Sequence, residues 1–288
     1  MIGAVVVVGV IVLEIADGPG LSPKFGGAML AGLLLLVGSL LGLRRSSLAT
    51  ACRIDRFAER NGMRFDRWRG RSGYAGMPFA YGNGHQRLHV VRGRRDGIPV
   101  EFGNLQYDTV RAIPRRCGYV AIRLPERLPH MVLDARHSSA LFGLTLPVPP
   151  HASQRVDVGA GRSFTPYAVD GADRVARTMF APDVLALFQE VAKRFDIEIV
   201  GDMLFLYSRG DASTNSAKRW GRQLSLVDAL VAAIPTWSVW ELARRQNRGR
   251  GAHYPAMRTS HARQTVVPVA IGAAAAAIII TLFFVFGS

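Results

Sequence analysis

Cysteine is nearly absent from this chain. Its two residues, Cys52 and Cys117, stand far apart with no CxxC spacing. That excludes a disulfide framework and a thiolate zinc site, and it suits a reducing compartment. Catalytic signatures are missing as well. No Gly-x-Ser-x-Gly elbow is present. The nearest approach to a phosphate loop, Asp157-Val-Gly-Ala-Gly-Arg-Ser163, lacks the Gly-Lys-Ser/Thr ending and is followed by no helical pattern. Lysine is almost absent too: three residues against 33 arginines, with a net charge of +15.

The seven histidines (85, 89, 130, 137, 151, 253 and 261) do not assemble a metal site by spacing. His85 and His89 are four apart, but His89 falls in a strand pattern, where that separation is ~13 Å. His130 and Asp134 share one strand face at a similar separation. Asp196 and Glu198 alternate with Phe195, Ile197 and Ile199, and read as outward, solvated charges. No pair stands out as acid and base, and no residue is assigned to catalysis, a cofactor or a metal.

Long apolar runs are what the chain does have. Val266 to Phe286 is 21 residues without a charge, enough for a helix of roughly 30 Å, the thickness of a bilayer core. Ile2–Ala16 and Phe25–Leu43 are also apolar and are joined by the turn-rich Asp17–Lys24. A cleaved signal peptide fits Ile2–Ala16 poorly, since a basic leading region and a small-x-small site before Asp17 are lacking. The expectation is an N-terminal transmembrane hairpin and a C-terminal transmembrane anchor. Glu14 lies at the end of the first helix, where a carboxylate meets the interface at little cost.

Arginine fixes the orientation. Arg44, Arg45, Arg53, Arg56 and Arg60 follow the second span, and Arg248, Arg250, Arg258 and Arg263 precede the third, while the hairpin loop has only Lys24. The positive-inside rule puts the central region in the cytoplasm and the C-terminus outside. The protein is then a multi-pass protein of the cell membrane. Both arginine clusters adjoin a span, so the anionic lipid of the inner leaflet is their simplest partner. Contact with headgroups is expected for Arg44, Arg45, Arg53, Arg244, Arg245, Arg248, Trp237 and Trp240. Trp237 and Trp240 have two readings: rings in the headgroup zone beside those arginines, or rings packed on the domain. Nucleic acid would need a basic face with stacking aromatics, which the sequence does not display.

Between the spans the periodicity predicts an α+β fold with an antiparallel sheet and packed helices. Ser47–Asn61 reads as a helix closed by Asn61-Gly62. Residues 67–83 read as a Gly-rich linker or loop. Arg87–Arg92 and Ile98–Val110 are strands joined by a turn at Asp96-Gly97, with a bulge expected at Gly103. Gly118–Leu124 and His130–Ala135 are strands divided by Pro125 and Pro129. The apolar, proline-rich Leu141–Pro150 is expected to pack across the domain. A helix opened by Pro182 and Asp183 carries Val184, Leu187, Phe188 and Val191 on one face, and a hairpin turning at Gly201-Asp202 follows. Ser225–Gln246 is helical and broken at Pro235. The resulting organisation is a hairpin over 1–43, a juxtamembrane helix and linker over 44–83, an α+β core over 84–210, a helical return with a basic segment over 211–265, and an anchor over 266–288.

The strings GYVAIRL (118–124), LPHMVLDA (128–135), FAPDVLAL (180–187) and FDIEIV (195–200) resemble a family of uncharacterised actinobacterial integral-membrane proteins, over about residues 50–210. The resemblance implies an apolar N-terminal hairpin ahead of a cytosolic domain. It supplies no catalytic residue, cofactor or substrate. The reading is a membrane-tethered cytosolic binding or scaffold module that assembles with a membrane partner or with itself. The alternatives are a membrane-associated enzyme using His130, Asp134 or His89 at a sheet edge, and a basic nucleic-acid-binding module.

Overall fold

The computed structural model describes residues 47–109, 114–135, 153–159 and 163–249. The three expected membrane segments, Arg44 and Arg45, the Leu141–Pro150 stretch and the basic run after 249 lie outside the described residues. Among the described residues no single helix is long and apolar enough to cross a membrane.

Helix α1 occupies 47–60. It buries Ala51, Ile54 and Ala58 and leaves Cys52 exposed. Gly62, at φ 66°, closes it in the left-handed conformation that suits glycine at a helix end. Strand β1 follows (Arg64–Arg69), then the single turn α2 (Met77–Ala80), β2 (Asn83–Arg95) and β3 (Ile98–Asp108). Thus 67–83 is not a free linker. It contributes an edge strand, and Met77 and Phe79 enter the core. The β2–β3 turn is Asp96-Gly97, both at positive φ, as that dipeptide requires.

Gly103 is not bulged. It pairs in register with Tyr119, and a Cβ there would lie 2.5 Å from the tyrosine hydroxyl. The bulge lies instead in β2, between Leu88 and Val91, with His89 at φ 52°.

Strand β4 runs unbroken over Pro114–Ala135, and β7 over Asp196–Ser208. Between them come β5 (Ser153–Arg155), β6 (Phe164–Val169), α3 (Asp173–Met179) and α4 (Pro182–Val191). The sheet is antiparallel in the order β1-β2-β3-β4-β6-β5, with β7 on the other edge of β4. The α+β expectation therefore holds for this domain.

Two sequence readings are corrected together here. Pro125 and Pro129 do not end a strand, and Gly201-Asp202 does not turn a hairpin. Instead β7 follows β4 along both halves, with register shifts between Arg123 and Leu128 and again before Met131. The prolines sit where the ladder is already interrupted, so their missing N–H groups remove little pairing. Opposite them Gly201, at φ 59°, lets β7 bend. The bend is sharp. Glu198 and Tyr207 are nine residues apart on one strand, which if straight would separate them by ~30 Å, yet their side chains hydrogen-bond at 2.7 Å. The β4–β7 ribbon therefore folds over on itself, and its concave side holds the segment 73–81.

Helix α5 (Ala217–Ala233) is capped by the Ser216 hydroxyl, which accepts from the Arg219 N–H. Pro235 then imposes a short 3-10 turn (Ile234–Thr236) before α6 (Val239–Gly249). The two helices meet at a 63° bend. Their apolar side is buried in the core, where Trp220 packs between Phe57 and Phe102.

Candidate functional site

The concave side of the ribbon holds the polar groups best placed for chemistry. Asp196 and Glu198, expected to be solvated, are both 0% exposed. The alternation was real, but both faces of β7 are covered, so its second face looks into the fold rather than at water. Asp196 accepts the Ala135 N–H at 2.8 Å. Glu198 accepts the Met77 N–H at 2.9 and 3.0 Å and the Tyr207 hydroxyl at 2.7 Å, and meets His130 Nε2 at 2.6 Å. Burial, reinforced by the Glu198 charge, raises the Tyr207 phenol well above its ordinary range, which keeps it a donor.

A second buried group lies alongside. Arg87 donates to Glu101 at 2.9 Å and to the Gly70 carbonyl at 3.2 Å, and Tyr119 donates to Glu101 at 2.6 Å. The Arg87 guanidinium also lies 5.6 Å from the Tyr74 ring centre. Both carboxylates thus tie the 70–81 segment to the sheet. Gly76 marks how closely that segment lies, since a Cβ there would sit 2.5 Å from the Tyr207 hydroxyl. Tyr74 and Phe79 complete the contact edge-on against Phe205 and Tyr119.

A cavity of about 350 Å³ opens at the ribbon bend, lined by Tyr74, Arg123, Arg127, His130, Asp202 and Met203 among others. Of the three residues proposed for an enzymatic sheet edge, only His130 reaches it. His89 lies in the β2 bulge stacked on Phe65, and burial, then the nearby Arg116, lowers its pKa. Asp134 is half-buried near Asp196; burial first, and that neighbour second, raise its pKa to about 6. His85 bonds the Tyr81 carbonyl at 2.9 Å. The Cys117 thiol is pushed up to about 12 by burial and Asp196, which makes it a poor nucleophile. Among the described residues no group of three His, Cys, Asp or Glu side chains can hold a metal ion.

The residues expected at lipid headgroups separate into two sets. Trp237 and Trp240 are 4% and 6% exposed. They stack on each other at 5.8 Å, Trp237 meets Phe188 edge-on, and the Trp240 indole N–H donates to the Ile234 carbonyl. Of their two readings, core packing is the one the fold adopts, because the break at Pro235 turns both rings inward. Arg53, Arg244, Arg245 and Arg248 are exposed. Among the described residues, the large exposed hydrophobic side chains are elsewhere: Leu48 on α1, 49% exposed, and Trp68 on β1, 60% exposed. Arg67 donates to the Ser47 hydroxyl at 3.2 Å, so β1 lies beside the start of α1. Sequence reading missed Trp68 because it fell in a stretch taken for a linker or loop. Its alternation with Arg67 and Arg69 was the available signal.

No family model matches the chain, and no curated protein does so either. Among solved structures, the chain is similar to the crystal structure of the mycobacterial trehalose monomycolate transport factor A, TtfA. The TM-score is 0.41 at 12% identity, covering 62% of this chain and 91% of that one. A similarity of that extent does not carry function from one chain to the other.

Proposed function

We propose that this chain is a binding or scaffold module held against the inner leaflet of the cell membrane, with its α+β domain in the cytoplasm. The observation that carries the reading is the exposure of two large apolar side chains, Leu48 at the start of α1 and Trp68 on the adjoining strand. Both follow closely on the apolar Phe25–Leu43 segment and its arginines. Exposed Arg53, Arg56, Arg60, Arg64 and Arg67 surround them in sequence. An aromatic ring among arginines beside a span matches the headgroup zone, where indoles and basic side chains concentrate. The buried carboxylates favour a module over an enzyme, because Glu198 and Glu101 are occupied in holding the 70–81 segment.

The test uses the full chain in phosphatidylglycerol vesicles carrying brominated acyl chains, with tryptophan emission as the readout. Part of the emission should be quenched, and W68F should remove that part. Quenching that W68F leaves unchanged contradicts the placement of Trp68 at the lipid.

A further inference from the structure

A second recess, of about 490 Å³, lies away from the ribbon bend. Along α5 it is lined by Arg219, Arg222, Gln223 and Leu226, spaced i, i+3, i+4, i+7 and therefore on one helix face. Lys193, Arg194 and Phe195 line it from the link between α4 and β7. Four cations thus converge on one concavity, and no carboxylate of the described residues lies within ion-pair distance of any of them. Of the two acids at its rim, Asp211 is already held by Arg116 through two bonds of 2.8 and 2.7 Å, which leaves Glu190 alone. Arg219 lies over Gly210, at the wall formed by the loop after β7.

Gln223, only 8% exposed, forms part of the floor of the recess. Val191, Phe195 and Leu226 give the same recess an apolar side.

We propose that this recess binds a phosphate ester bearing an apolar group. Arg219, Arg222, Lys193 and Arg194 take the phosphate, and Val191, Phe195 and Leu226 cover the apolar part. Guanidinium forks suit phosphate oxygens in bidentate geometry, and the volume is that of a small-molecule site. The proposal rests on the binding-module reading. Its failure is separable from that reading's failure, because lipid quenching at Trp68 involves none of these residues. The ester is either a soluble compound or the headgroup end of an anionic lipid.

The experiment is calorimetric titration of the full chain in nonionic detergent with inorganic phosphate, hexyl phosphate and dihexanoyl-phosphatidylglycerol. Hexyl phosphate should bind saturably and at least about tenfold more tightly than inorganic phosphate. R219Q/R222Q should weaken it by at least about tenfold. Both arginines are exposed, so the double variant should keep the parent's unfolding midpoint. Tighter binding of the phosphatidylglycerol than of hexyl phosphate supports the site with lipid as its source, and weaker binding supports it with a soluble ester. Absence of saturable binding by all three probes, or affinities untouched by R219Q/R222Q, overturns the proposal.

Discussion

Replacing Glu198 by alanine withdraws one carboxylate from three partners at once: the Met77 N–H, the Tyr207 hydroxyl and His130 Nε2. All are in the buried part of the fold, where water cannot replace the lost acceptor. Breaking a buried pair by removing one partner costs about 3–5 kcal/mol. In a domain of this size each kcal/mol moves the unfolding midpoint by about 2–4 °C, so E198A should melt about 6–20 °C below the parent. E198Q keeps the shape and one acceptor oxygen, and should lose about 1–3 kcal/mol. Intrinsic tryptophan fluorescence on the full chain in mild detergent is the assay. All four tryptophans (68, 220, 237 and 240) lie in the described domain, so the signal reports this domain and not the apolar segments. An E198A midpoint within 2 °C of the parent would refute the view that Glu198 holds segment 73–81 to the ribbon.

G118A should cost about 2–3 kcal/mol, read in the same melt, because a Cβ at Gly118 would lie 2.3 Å from the Gly210 carbonyl and 2.4 Å from the Ala212 nitrogen. The half-buried Arg95–Asp228 pair is bidentate at 2.7 Å, but R95Q should change stability by only about 1 kcal/mol, since water still reaches and screens both groups. Asp134 titrates near pH 6 in the fold, above its usual 3.8. The folded state therefore binds the extra proton between those values, and stability falls as pH rises through that window. D134N should raise the midpoint at pH 7.5 by an amount worth about 1 kcal/mol, after allowing for solvent at a half-exposed site. That advantage should vanish below pH 4; a gain independent of pH would contradict it. Crosslinking of the mildly extracted protein should give a stoichiometric partner or a self-associated species, and a lone monomer counts against a scaffold role.

The elements were legible wherever local chemistry sets them. Asp96-Gly97 admits one tight turn, Pro182 and Asp183 open a helix, and Pro235 breaks one. The ribbon bend was not legible as a bend. Proline pairs and a Gly-Asp step mark interruptions equally well for separate strands and for one bent strand, and only the pairing of β4 with β7 across the gap decides. The buried carboxylates were hidden for a related reason. A period of two separates the faces of a strand but does not say which face meets water, and the 73–81 segment that covers Glu198 is some 120 positions away in sequence. The basic recess was equally out of reach. Lys193 and Arg194 follow the last turn of α4, which ends at Val191, and only the fold brings them to a recess shared with α5.

The central claim is that the domain is held to the membrane on its cytoplasmic side. Cys52 is exposed and Cys117 is buried, so an impermeant maleimide reads the position of α1 without engineering. Alkaline-washed everted vesicles should retain the chain and label it at Cys52, while intact cells should leave it unlabelled. Loss of the chain to the alkaline supernatant, or labelling of Cys52 in intact cells, would contradict the account.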